Sequence, residues 1–69
     1  MSFHKRFGKH LKQLRMVKGM TQEELASAAD LSPNFIRTVE QGKSGLSFNT
    51  IEPVANALGL KPKDLFDFE

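Results

Sequence analysis

A row of hydrogen-bonding side chains occurs within residues 31–43, LSPNFIRTVEQGK. It consists of Asn34, Arg37, Thr38 and Gln41. Arg37, Thr38 and Gln41 follow Asn34 by three, four and seven residues, a spacing that places all four on one face of a helix. Ile36 and Val39 fall on the other side. Amide, guanidinium and hydroxyl groups can pair with base edges or phosphates. A polar helix face of this kind is, on its own, more often an ordinary solvated surface.

Catalytic chemistry finds no support in the sequence. The chain has no cysteine, no glycine-rich phosphate loop and no paired carboxylates around a histidine, and 69 residues leave little room for a pocket. His4 and His10 lack carboxylates at ligand spacing, so we interpret them as surface residues that could lie near phosphate. We therefore expect no enzyme activity, no metal site and no cofactor.

Length and composition favour one small domain spanning residues 1–69. A chain of this size buries only about 60% of the surface that its unfolded form exposes, so its core must be compact. The absence of cysteine excludes disulfides. No apolar run approaches the ~20 residues that span a bilayer, and the N-terminal segment lacks the apolar core of a signal peptide. These features predict a soluble, cytoplasmic protein without membrane contact.

Charge is distributed unevenly along the chain. The net charge is only +2, but residues 1–43 carry eight basic and four acidic side chains, whereas residues 44–69 carry two and four. A basic first half suits a polyanion partner, although an ordinary solvated surface explains the charges equally well. Lys5, Arg6 and Lys9 are accordingly either a solvated face or an arm that steers phosphate.

The elements that must position the polar stripe are predicted to be helices, because no segment alternates with the period of a strand. Phe7 and Leu11 mark the apolar side of a first helix that stops at Gly19. Thr21 and Glu24 form a capping-box pattern that starts a second helix, and Asp30 is suited to the left-handed conformation that ends it.

Three further helices follow in this all-α, five-helix prediction. Ser32 caps the third, with Pro33 in its first turn and Gly42 after its end. Ser47 is expected to cap the fourth, which either bends at Pro53 or begins later than Ser47. A short fifth helix covers residues 62–66, and residues 67–69 are expected to fray.

Helices two and three, within residues 21–42, are joined by a short turn, which is the geometry that places a helix in the DNA major groove. At this point the chain resembles the lambda-repressor-like (Cro-type, XRE) helix-turn-helix family of bacterial and phage regulators. The matching segments are LKQLRMVKGMTQEELA (11–26), LSPNFIRTVEQGK (31–43) and VANALGL (54–60). The resemblance implies a compact five-helix DNA-binding domain similar to restriction-modification controller proteins.

The resemblance also implies roles for individual residues. Positions expected to approach base edges are Ser32, Pro33, Asn34, Arg37 and Thr38. Positions expected to hold phosphates are Gln22, which also braces the third helix, Gln41, Lys43, and the backbone N–H groups around Ser47 and Phe48. Arg15 and Glu40 match a pair that bridges the first helix to the end of the third.

Three residues depart from the family pattern. Pro33 stands where a polar base reader is common, which restricts that position to apolar contact. Asp30 replaces the usual glycine of the turn at a small conformational cost. Pro53 is uncommon within the fourth helix.

The apolar C-terminal segment predicts a homodimer. Leu65, Phe66 and Phe68 are expected in the interface, although Leu65 and Phe66 are also expected to cover part of the core of one protomer. Two copies would read half-sites of a pseudo-palindromic operator about 34–36 Å, or a multiple of that, apart. The sequence thus predicts a dimeric transcriptional regulator, either a restriction-modification controller or a small phage-type repressor. The alternative is an antitoxin that binds both a toxin and its own operator.

Overall fold

The computed structural model describes residues 2–69, which form four α-helices and a 3₁₀ helix. The α-helices are α1 (Phe3–Val17), α2 (Gln22–Ala29), α3 (Pro33–Glu40) and α4 (Phe48–Ala57), and the 3₁₀ helix spans Pro62–Phe66. The predicted all-α fold is confirmed, although the fifth helix is a single short 3₁₀ segment, a form in which short terminal helices commonly occur. Within residues 2–69, no helix is long and apolar enough to cross a membrane.

The starts of α2 and α3 follow from their capping residues as predicted. The Thr21 hydroxyl accepts from the Glu24 N–H at 3.0 Å, and the Glu24 carboxylate accepts from the Thr21 N–H at 2.8 Å. The Ser32 hydroxyl accepts from the Phe35 N–H at 3.1 Å, with Pro33 in the first turn. These bonds satisfy backbone donors that the helices cannot satisfy themselves, and so fix where both helices begin.

Two left-handed residues end α2 and α3. Asp30 has φ 59° and ψ 45°, as its place in the turn predicted, and Gly42 has φ 78°. Glycine at position 42 is also required by space, because a Cβ there would lie 2.6 Å from the Lys5 Cγ. The turn between α2 and α3 is therefore only residues 30–32, and both helices leave it in fixed directions.

The start of α4 differs from the prediction. Ser47 is the N-cap residue by backbone conformation, but its hydroxyl makes no capping bond and instead donates to the Thr50 hydroxyl at 3.2 Å. The expected side-chain cap is therefore wrong. The helix nevertheless begins directly after Ser47 and continues through Pro53, which rules out the later start. Pro53 removes only its own hydrogen bond within this short helix.

The core forms where α2 packs against both α3 and α4, with α1 and the 3₁₀ helix closing its sides. Its buried apolar residues are Phe7, Leu11, Leu25, Ala26, Ala29, Ile36, Val39, Val54, Ala55, Leu58 and Leu65. At the crossing of α1 and α3, a Cβ on Gly8 would lie 2.3 Å from the Val39 carbonyl oxygen. Only glycine permits this approach, which sets the end of α3 directly against α1.

The C-terminal segment packs on its own protomer more fully than the sequence predicted. Leu65 is 1% exposed, so its assignment to a dimer interface is wrong: this side chain closes the core beneath the 3₁₀ helix. Phe66, 42% exposed, stacks on Phe7 with ring centroids 5.1 Å apart. Phe68 is half-buried against Phe3, with ring centroids 5.5 Å apart, so one of the three residues expected to fray packs on its own protomer.

Candidate nucleic-acid interface

The exposed side of α3 brings together the side chains predicted to approach bases. Ser32, Pro33, Asn34 and Arg37 are exposed and Thr38 is half-buried. On the opposite side, Ile36 and Val39 are fully buried. The helix is therefore held by its apolar side, and its polar side is free to meet another molecule.

Two hydrogen bonds within this face determine what its side chains can offer. Arg37 donates from Nη1 to the Asn34 Oδ1 at 3.2 Å, and the Thr38 hydroxyl donates to the Asn34 backbone carbonyl at 2.9 Å. Asn34 thus keeps both hydrogens of its Nδ2 amide free. Thr38, whose only donated proton is already used, presents an acceptor oxygen and a methyl group.

A buried polar network fixes the end of α3. Arg15 donates from Nε to Glu40 Oε2 at 2.7 Å and from Nη2 to Glu40 Oε1 at 3.1 Å, and the two side chains are 11% and 3% exposed. Arg15 also donates to the Met20 carbonyl at 2.8 Å, and Gln22 donates to Glu40 Oε1 at 3.0 Å. The predicted Arg15 and Glu40 pair is confirmed, and Gln22 does brace α3.

This network joins three elements at one carboxylate. Glu40 at the end of α3 binds Arg15 of α1 and Gln22 at the start of α2, so the two helices of the helix-turn-helix cannot shift independently. Breaking such a buried pair is costly because it strands a charge in the interior. Among residues 2–69, no buried side-chain nitrogen or oxygen is left without a partner.

All but one of the residues predicted to hold phosphates lie between the end of α3 and the start of α4, and the exception, Gln22, begins α2. Gln41, Lys43, Ser47 and Phe48 are all exposed, whereas Gln22 is half-buried. The Lys43 backbone N–H donates to the Thr38 carbonyl at 3.2 Å. Lys43 can therefore bind an anion only through the ammonium group of its side chain. At the start of the ten-residue helix α4 the Ser47 hydroxyl caps no N–H. The Thr50 N–H donates to the Ser47 carbonyl at 2.9 Å, and no side chain within residues 2–69 bonds the N–H groups of Phe48 and Asn49.

The Phe48 side chain serves a different surface from its backbone. It is 89% exposed and borders a groove together with Ile51, Pro53 and Pro62. The start of α4 therefore combines backbone donors that the Ser47 side chain does not cap with a largely apolar groove, whose lining also includes Asn49 and Glu52. Within the described part of the chain, no three acidic or histidine side chains are grouped as a metal site would need.

Comparison with known proteins identifies the fold. Residues 6–67 match a family model described as a helix-turn-helix domain. The chain belongs to this family. Its helix-turn-helix domain is that of a DNA-binding transcriptional regulator.

Individual relatives indicate which kind of regulator this chain is similar to. This helix-turn-helix chain is 43% identical over 63 residues to control protein C.BamHI of Bacillus amyloliquefaciens, covering 90% of the chain and 78% of that protein. It is 36% identical over 62 residues to control protein C.MunI of a Mycoplasma species, covering 88% and 84%. The crystal structure of the restriction-modification controller protein C.AhdI from Aeromonas hydrophila superposes with a TM-score of 0.88 at 36% identity, covering 91% and 96%.

The sequence interpretation missed two features of this helix-turn-helix domain. The first is the second partner of Arg15, the Met20 carbonyl, which has no sequence signal because it is a backbone atom. The second is the groove beside Phe48. Its sequence signal is that Phe48 and Ile51 are three residues apart at the start of a helix, whereas the composition of the chain places the excess apolar surface in the C-terminal segment.

Proposed function

We propose that this protein is a homodimeric, sequence-specific transcriptional regulator that controls a restriction-modification system in the cytoplasm. Residues 1–69 act as one domain, and α3 of each protomer enters the major groove. The observation that carries the proposal is the exposed polar face of α3, held in place by the buried network of Arg15, Gln22 and Glu40. The likeness to controller proteins favours this role over that of a phage repressor or an antitoxin.

Base reading is assigned to the exposed face of α3. Asn34 and Arg37 present mainly donors, because the Asn34 carbonyl oxygen already accepts from Arg37. Purine edges with acceptors, above all the N7 and O6 of guanine, match this pair. Thr38 offers its methyl to a thymine or its oxygen to a base amino group, while Ser32 and Pro33 contact the edge of the site.

Phosphate binding is assigned to the residues at both ends of the helix-turn-helix. Gln22 uses the amide hydrogen left over from its bond to Glu40, and Lys43 and Gln41 act from the segment after α3. The open N–H groups at the start of α4, near Ser47 and Phe48, hold a further phosphate. Such contacts set the position of α3 on the duplex, and the base contacts set its sequence preference.

Dimerisation is assigned to the groove bordered by Phe48, Ile51, Pro53 and Pro62, with a second copy of this chain as its occupant. One helix-turn-helix contacts only a few base pairs, so a two-fold pair is needed to read two half-sites. Burial of a phenylalanine side chain contributes about 1.5–3 kcal/mol, and two-fold symmetry includes the Phe48 contribution twice.

The dimer surface is tested by replacing one of two equally exposed apolar side chains. Phe48→Ser should weaken self-association at least about tenfold, which corresponds to about 1.4 kcal/mol. Val17→Ser is the matched control, because Val17 is 88% exposed but lies at the end of α1, and it should leave association unchanged. Sedimentation equilibrium measures both. A monomeric parent at high micromolar concentration, or equal effects of both variants, would contradict the groove as the interface.

The proposed function itself is tested by selection from random duplex DNA followed by footprinting. The expected outcome is one enriched sequence with two inverted half-sites about one helical turn, or a multiple of it, apart. Each half-site should contain guanine at the position protected by the Asn34 and Arg37 pair. Enrichment of no sequence, or of a single unpaired half-site, would refute sequence-specific binding by a dimer.

A further inference from the structure

The first turn of α1 packs against the segment that joins α3 to α4. A Cβ placed on Gly42 would lie 2.6 Å from the Lys5 Cγ and 2.8 Å from its Cα. A Cβ placed on Gly45 would lie 3.3 Å from two atoms of the His4 ring, Cδ2 and Nε2. Both contacts occur where the joining segment has no side chain of its own. Two nitrogen-bearing side chains of α1 therefore lie next to the segment to which phosphate binding is assigned.

The other basic residues of this part of α1 face a different region. The guanidinium carbon of Arg6 lies 5.9 Å from the ring centroids of Phe3 and Phe68. Lys9 borders a cleft with Phe68 and the acidic Glu69. In the basic N-terminal segment, Arg6 and Lys9 thus lie towards the C-terminal residues, whereas His4 and Lys5 lie towards the segment that joins α3 to α4. The two interpretations that the sequence leaves open, a solvated face and an arm that steers phosphate, can therefore be tested separately for the two pairs.

We propose that Lys5 and His4 form an additional phosphate-binding element, which extends the interface beyond the helix-turn-helix to α1. This inference rests on the proposed function, since its ligand is a backbone phosphate of the bound duplex, adjacent to the one held by Lys43. The missing side chain at Gly42 lets the Lys5 stem lie across the joining segment, and its ammonium group carries three donors on a flexible chain. His4 adds a ring N–H beside Gly45.

The experiment compares two substitutions that remove one positive charge from the same helix. Lys5→Gln and Lys9→Gln change the net charge equally, so any difference between them reports local contact with DNA. Binding is measured by fluorescence anisotropy between about 50 and 200 mM salt, on the selected operator and on an unrelated duplex. Both side chains are exposed, and circular dichroism melting checks that both variants fold like the parent.

Lys5→Gln should weaken binding to both duplexes by the same factor, about fivefold at 0.15 M salt, and should lower the slope of log affinity against log salt by about 1. Lys9→Gln should leave the slope unchanged. Equal effects of the two variants would overturn the assignment of Lys5, because the loss would then reflect overall charge alone.

The contribution of His4 is tested by His4→Phe, which keeps an aromatic ring beside Gly45 and removes the ring nitrogens. A loss of affinity of about twofold on both duplexes is expected, and binding equal to the parent would remove His4 from the element. The outcome is separable from that of the proposed function. If the parent protein binds all duplexes equally, the proposed function is refuted. If the parent binds the operator specifically but the Lys5→Gln and Lys9→Gln variants bind alike, only the additional phosphate-binding element is refuted.

Discussion

The end of α3 and the start of α4 are close in the chain but differ in how far their polar groups are bonded within the protein. At the end of α3, the buried Glu40 carboxylate accepts from Arg15 and Gln22. At the start of α4, the Ser47 hydroxyl donates to Thr50, so no side chain within residues 2–69 caps the first N–H groups, although the Thr50 N–H donates to the Ser47 carbonyl at 2.9 Å. Groups bonded within the chain fix where α3 lies, and groups left open are available to an anion. Substitutions in the first region should therefore change stability, and those in the second should change binding.

The largest effect is expected at Glu40. Glu40→Ala leaves the Arg15 guanidinium buried without its counter-charge and removes the acceptor of Gln22, which should cost about 3–5 kcal/mol of unfolding free energy. Urea denaturation followed by circular dichroism measures this loss. Glu23→Ala is the control, because Glu23 is exposed in the first turn of α2 and should change stability by less than about 1 kcal/mol. Similar losses in both variants would contradict a special role for the buried pair.

A smaller effect is expected at the cap of α2. Thr21→Ala removes the hydroxyl that accepts from the Glu24 N–H and should cost about 1 kcal/mol. For a domain of this size, that corresponds to a decrease of about 4–8 °C in melting temperature. An unchanged melting temperature would show that the capping box contributes nothing measurable.

The smallest effect is expected at Ser47, where the same kind of substitution meets no cap. Ser47→Ala should change the unfolding free energy by at most about 0.5 kcal/mol, because the hydroxyl satisfies no backbone donor of α4. Thermal melting alongside Thr21→Ala gives a direct comparison. Equal destabilisation by the two variants would show that the Ser47 hydroxyl caps α4 as the Thr21 hydroxyl caps α2, which would contradict an uncapped start of α4.

Local sequence patterns predicted those parts of the fold that depend on neighbouring residues. The capping box at Thr21 and the cap at Ser32 involve side chains within a few positions of the backbone groups they bind, and the left-handed turn at Asp30 depends on the conformational preference of that residue itself. The Arg15 and Glu40 pair, by contrast, links residues 25 positions apart and was predicted only through the family resemblance. Composition and spacing alone contain no information about such a pair.

The errors arose where packing decided between local alternatives. Leu65 looked available to a partner because the C-terminal segment is rich in apolar residues, but the core of a small domain needs it. Ser47 was expected to cap α4 because of its residue type, but its hydroxyl donates to the hydroxyl of Thr50, three residues further along the chain. The division of the basic segment between Lys5 and Arg6 follows from the crossing of α1 with the joining segment, which no short-range pattern contains.

The most direct test of the central claim measures Asn34→Ala and Lys43→Ala on the selected operator and on an unrelated duplex over a range of salt concentrations. Asn34→Ala should reduce the preference for the operator by about 1–3 kcal/mol without changing the salt dependence. Lys43→Ala should weaken both duplexes alike and lower the salt slope by about 1. If both variants bind the operator as the parent does, α3 does not dock in the groove as proposed.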